Sequence, residues 1–167
     1  MSVAVRRVES ADPATAERLA ALRRAAYAVE ARWLGVTDFP PARASAESVA
    51  REQAITFVAH ESGEWLGALA LEPWPGGAYL VSSLVVEPAQ HRRGVARGLL
   101  AHVVAAFGDR ELVVSTGVAN TAALALYRGF GFVEGTRRIV GAEPIEVVQL
   151  RRTPGGTAAA AGAADPH

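Results

Sequence analysis

Residues 81–104, VSSLVVEPAQHRRGVARGLLAHVV, admit few backbone paths. A run rich in β-branched residues ends at Glu87-Pro88. A basic turn, Gln90-His91-Arg92-Arg93-Gly94, follows, and an amphipathic run extends from Val95 to Phe107. Such a pattern predicts a strand, a turn and a helix. That order makes an anion-binding geometry, because the first amides of a helix lack intrahelical partners and its positive dipole end faces the turn. Gly94 lets the backbone come close to a bound anion. Arg92 and Arg93 add charge and forked donors. The amides from Arg92 through Val95 and Ala96 to Arg97 can converge on one anion. The turn matches neither the nucleotide P-loop nor the G-x-G-x-x-G dinucleotide fingerprint. Taken alone, it also fits an ordinary strand-to-helix connection with solvated arginines.

The rest of the composition narrows what such a turn can serve. At 167 residues the chain is long enough for one domain with a substantial core, expected over residues 1–152. Residues 153–167, TPGGTAAAAGAADPH, read as a disordered low-complexity tail. Seventeen basic residues balance seventeen acidic ones, so a general nucleic-acid surface is not expected. The absence of cysteine removes disulfides, thiol nucleophiles and cysteine metal sites, and the four histidines show no ligand spacing, so no metal is expected. No run approaches the ~18 apolar residues of a membrane span. The expectation is a cytoplasmic protein without a membrane partner.

Other segments read as follows. Val3–Val8 is a first strand. Asp12-Pro13 opens a helix in which Leu19, Leu22, Ala26, Val29 and Trp33 recur at helical spacing, until Gly35 and Phe39-Pro40-Pro41 break it. Ser45 to Gln53 predicts a short helix. Ile55–His60 and Trp65–Leu71 form a hairpin, Pro73 to Gly77 a loop, and Tyr79–Val86 a long strand. Leu112–Thr116 is a strand and Asn120 to Arg128 a helix, with Gly129 expected at its C-terminal turn. Phe132–Glu134, Ile139–Val140 and Ile145–Leu150 complete the strands.

A second constellation lies in Asn120-Thr-Ala-Ala-Leu-Ala-Leu-Tyr127. Asn120 and Tyr127 are seven residues apart, hence two turns from each other on one helix face. They can face a common groove; equally, Asn120 can cap the helix and Tyr127 can border the core.

In this order the two segments resemble the GNAT superfamily of acyl-CoA-dependent N-acetyltransferases. Its cofactor motif, Q/R-x-x-G-x-G/A after a long strand, is matched by His91-Arg92-Arg93-Gly94-Val95-Ala96, with His91 in place of Gln or Arg. Its next motif, an Asn, a helix, a Tyr and Gly-Phe, is matched by Asn120, Tyr127 and Gly131-Phe132. The close resemblance spans residues 79–133, about a third of the chain. It implies an α/β (α+β) fold with a mixed, mostly antiparallel sheet, splayed between two parallel strands and flanked by helices. It also implies acetyl-CoA as co-substrate, with no metal, and a homodimer through the terminal strands.

What the resemblance implies for individual residues is specific. The pantetheine arm would lie between Tyr79–Val86 and Leu112–Thr116, pairing with backbone groups of Leu84, Val85 and Val86, one of whose amides could face the thioester oxygen. The diphosphate would rest on Arg92, Arg93, Gly94, Val95, Ala96 and Arg97. Asn120 would bond the pantetheine, and Tyr127 would protonate the departing thiolate. The acceptor amine must lose a proton, and the long strand carries no glutamate. Glu72 is the first candidate base, with Glu30 and Asp38 as others and Ser82 or Ser83 as water-ordering groups. Tyr27, Trp33, Phe39 and Trp74 occupy acceptor-wall segments, although the spacing of Tyr27 and Trp33 also suits packing of helix on sheet.

The expected activity is direct acetyl transfer to a primary amine of a small acceptor. A cysteine-based ping-pong route has no nucleophile here. Two other readings are a catalytically silent acyl-CoA-binding or sensor domain and a protein or peptide N-acetyltransferase.

Overall fold

The fold was obtained as a computed structural model that describes residues 3–155; the greater part of the expected tail, 156–167, lies outside the described residues. Seven strands form one sheet: β1 (Ala4–Val8), β2 (Ile55–Glu61), β3 (Glu64–Trp74), β4 (Ala78–Val86), β5 (Leu112–Gly117), β6 (Val133–Val140) and β7 (Ile145–Arg152). Their spatial order is β1-β2-β3-β4-β5-β7-β6. Every neighbouring pair is antiparallel except β4 and β5. The helices are α1 (Pro13–Leu34), α2 (Ala46–Ala50), α3 (Val95–Phe107) and α4 (Thr121–Gly129). The sheet and its one parallel pair are as the resemblance implied.

Caps set the helix ends. The Asp12 carboxylate accepts from the Thr15 amide at 3.0 Å, Pro13 opens α1, and Gly35 closes it at φ +71°. Ser45 and Ser48 form a reciprocal capping box, but α2 stops at Ala50 rather than Gln53. β3 continues through the expected loop to Trp74 because Glu72, Pro73 and Trp74 pair with Leu80, Tyr79 and Ala78. The αL glycine after α4 is Gly131, at φ +89°, whereas Gly129 is still helical.

The sheet separates two cores. On one face α3 and α4 pack Leu99, Leu100, Val103 and Leu124, together with Phe132 just after α4, against Leu69, Leu71, Val81 and Val114. On the other, α1 and α2 pack Leu19, Ala20, Leu22 and Val49 against Val58, Ala68 and Val85. Val81 and Val85 are four residues apart and would share a face of a regular strand, yet they lie in opposite cores. A bulge explains this. Ala70 pairs with Ser83 but Leu71 pairs with Val81, so Ser82 is the extra residue. Ser83 is thereby turned toward α1.

Candidate active site

β4 and β5 pair only through Tyr79–Leu112, Leu80–Val113 and Val81–Val114. Beyond Val81 they part, at the same place as the Ser82 bulge. A cleft of about 430 Å³ opens there, lined by Ser82, Ser83 and Leu84 on one side and Ser115, Thr116 and Gly117 on the other. Tyr27 and Glu30 enter from α1, Asn120 and Tyr127 from α4. Leu34 packs closely over Gly117: a Cβ there would lie 2.6 Å from its Cδ2, so the leucine side chain would have to shift.

The polar groups of the cleft are linked. Asn120 accepts from the Ala123 amide at 3.1 Å, capping α4, and its Nδ2 donates to Oε1 of Glu30 at 3.3 Å. Burial pushes the Glu30 carboxyl above the ordinary carboxylate range, with the Asn120 bond opposing that shift. Tyr27 and Ser83 share a 2.8 Å hydrogen bond, and burial raises the Tyr27 phenol. Burial also raises the Tyr127 phenol, reinforced by Tyr27 and Glu30. Tyr127 is held by Phe132, whose ring lies 5.5 Å away edge-on. The Gly131-Phe132 pair of the motif therefore buttresses the tyrosine.

The turn follows the C-terminal end of β4, beyond the residues that line the cleft. Gly94 has φ +75° and nothing within 4 Å of a Cβ built on it, so it is demanded by backbone conformation and leaves space above the turn. Arg92 also adopts positive φ, +68°. The first α3 bond runs from the Gly98 amide to the Gly94 carbonyl at 3.0 Å, placing the amides of residues 95–97 ahead of the helical ladder. Val95 is buried in the core, and only its backbone is available to a ligand. Arg93 bonds Gln90 and pairs with Glu61 at 3.0 Å, anchoring the turn to β2. Arg92 and Arg97 are exposed, and Arg97 lies over the Phe130 ring at 5.9 Å. Gly67 seats the whole turn, because a Cβ there would meet the Val85 carbonyl oxygen at 2.7 Å and Cγ1 of Val95 at 2.8 Å.

The other sequence-named residues are distributed around this frame. Glu72 does not line the central cleft; it borders a smaller cleft of about 290 Å³ together with Arg23, Tyr27, Glu52, Ser82 and Ser83. Asp38 lines the central cleft and pairs with Arg43. Tyr27 packs onto the sheet as its spacing suggested, whereas Trp33 is 54 % exposed and stands 5.9 Å from the His91 ring. The sequence reading missed a clasp across the cleft mouth. The Glu143 carboxylate, in the β6–β7 turn, accepts from the Thr37 amide at 3.0 Å, the Thr37 hydroxyl at 2.6 Å and the Asp38 amide at 2.5 Å. These bonds hold the Glu143 carboxyl below its usual range. No sequence signal marks this contact between residues about a hundred positions apart.

Residues 19–132 match the acetyltransferase (GNAT) family, and the chain belongs to it. Members of that family are enzymes that use acetyl-CoA. No curated protein matches the chain. Among solved structures it is similar to the ribosomal-protein-S18-alanine N-acetyltransferase of Escherichia coli, at 18 % identity and TM-score 0.72, over 92 % of this chain and 94 % of that one. It is also similar to an N-acetyltransferase from Staphylococcus aureus Mu50, at 20 % identity and TM-score 0.69, over 92 % and 99 %. A third, yncA from Salmonella typhimurium, was solved with its cofactor acetyl-CoA and has 16 % identity and TM-score 0.66, over 92 % and 94 %. At these identities the likeness is one of fold.

Proposed function

We propose that the protein transfers an acetyl group from acetyl-CoA directly to a primary amine of a small acceptor in the central cleft. The observation that carries this reading is the convergence of Glu30, Asn120 and Tyr127 where β4 and β5 part. The residues suit acetyl-CoA. A positive-φ Gly94 with open space above it, and the amides of 95–97, would take the diphosphate. The β4 edge at Leu84, Val85 and Val86 would run along the pantetheine. Acetyl-CoA supplies the acetyl group in activated form, as a thioester.

An alkylammonium holds its proton up to about pH 10.4, so a nearby base must take it before nitrogen can attack. Glu30 suits that role better than Glu72. It lines the same cleft as Tyr127, burial makes it a stronger proton acceptor, and Asn120 fixes its orientation. The amine proton passes to Glu30 as the new N–C bond forms and the C–S bond breaks. The Tyr127 phenol, kept protonated by burial, gives its proton to the departing sulfur. Asn120, with both ends of its amide engaged in the cap and in Glu30, acts here as a positioning residue. The Glu143 clasp, closing the mouth beside Phe39 and Pro40, supports a small acceptor over a peptide chain.

The test is Tyr127→Phe. Turnover should fall by about 10²-fold, the span of a general acid, while acetyl-CoA binding measured by calorimetry stays within about twofold. Unchanged turnover would remove Tyr127 from the chemistry. Tight acetyl-CoA binding with no thiol release across amines, amino acids and peptides would favour a sensor domain instead.

A further inference from the structure

We infer that the smaller cleft beside β4 is a subsite for a second ammonium group of the acceptor, which makes the acceptor a small diamine or polyamine. This rests on the acyl-transfer reading of the central cleft. The two cavities are adjacent, with Tyr27, Pro40, Pro41, Ser82 and Ser83 lining both. An acceptor can therefore place one amine beside Glu30 and pass methylenes over Pro40, Pro41 and the Tyr27 ring into the second space.

The charges in the smaller cleft decide what it can hold. Arg23, with its side chain only 7 % exposed, is bonded twice to Glu52, at 2.5 and 3.1 Å. Arg43 is engaged by Asp38. Both cations are thus neutralised by partners. Glu72 is half-buried and borders the same cleft, and its carboxylate has no hydrogen-bond or ion-pair partner among the described residues. A partly buried carboxylate without a partner loses solvation that a ligand cation can restore. A ligand carboxylate, by contrast, would have to displace Glu52 from Arg23 and sit near Glu72. Nε of Arg23 is buried without a partner, so the Arg23–Glu52 pair uses only the terminal nitrogens of the guanidinium.

The experiment compares matched alkyl monoamines and α,ω-diamines of equal chain length on the full chain with acetyl-CoA, reading kcat/KM by thiol release. The best diamine should exceed its monoamine by about tenfold, the scale of one partly desolvated charge pair. In Glu72→Gln that ratio should fall to about one, and Glu72→Asp should restore part of it. A ratio near one in the wild type overturns the subsite, as does a ratio unmoved in Glu72→Gln. If Glu72→Gln does not fold, Glu72→Asp carries the test, with a lowered ratio expected and an unchanged one refuting. Calorimetry of diamine binding to the CoA complex separates the two readings. If no amine is acetylated but the diamine binds the wild type about tenfold tighter than the variant, acyl transfer fails and the subsite stands. Equal binding to both sinks the subsite whatever the turnover.

Discussion

At one end of the site, a single stretch of chain builds nearly everything: β4, the turn and α3 are consecutive, and the working groups are backbone amides fixed by Gly94 and by the helix itself. At the other end, the working groups are side chains from α1, β4, α4 and the β6–β7 turn, brought together over separations such as 90 residues for Asn120 and Glu30. Backbone sites follow from conformation, which a local motif encodes. Side-chain sites follow from packing, which it does not. The cofactor end should therefore fail through single conformational substitutions. The acceptor end should fail through charge and hydrogen-bond substitutions that leave the fold alone.

The largest expected effect is at the turn. Gly94→Asp places a β-carbon at φ +75° and a negative charge where the diphosphate would lie. Thermal stabilisation by acetyl-CoA should vanish, while the melting temperature of the free protein drops by only a few degrees, as expected for a cost of about 1–2 kcal/mol. Stabilisation that persists would move the diphosphate away from this turn.

This contrast also explains what the sequence disclosed. The turn, α3, and the Asn120–Tyr127 face were legible because each is local, with glycine conformation, capping and helical period all written within about ten residues. The splay was legible only through family resemblance. The Ser82 bulge was not, because VSSLVV reads as a regular strand and nothing in it marks which residue is extra. Glu30 ranked behind Glu72 as a candidate base because Glu72 ends a strand, and nothing local to Glu30 marks the Asn120 bond that reaches it from 90 residues away. Glu143, in a Gly-Ala-Glu-Pro turn, gave no hint of Thr37.

Next in size is Glu30→Gln. The acid limb of kcat/KM in the wild type should lie above the ordinary carboxylate range, because Glu30 must be ionised to accept a proton and burial raises its pKa. The variant should lose about 10²-fold in activity and lose that limb. Stability should move the opposite way. A carboxyl whose folded-state pKa is raised binds more protons folded than unfolded, so stability falls as pH rises between its unfolded and folded pKa values. Glu30→Gln removes that fall and should match or exceed the wild type in denaturant melts at neutral pH. A variant that loses activity and stability together would make Glu30 a structural group.

The smallest effect belongs to the clasp. Glu143 has a lowered pKa, with the Thr37 hydroxyl the largest cause and the Asp38 amide next. A carboxyl depressed in the folded state contributes stability above its unfolded pKa and loses it as pH falls through the folded value. The mouth should therefore be closed at neutral pH and open only in acid, below the usual glutamate range. Glu143→Ala should reproduce that opening at neutral pH, raising KM for a small amine by only about two- to fivefold, as suits a solvent-exposed contact. Acetyl-CoA affinity, set by the turn, should not move. If the variant instead weakens acetyl-CoA binding, the two ends are mechanically joined through α1, whose final turn carries Trp33 against His91. In that outcome the division between a backbone-built end and a side-chain-built end would hold for assembly but not for binding.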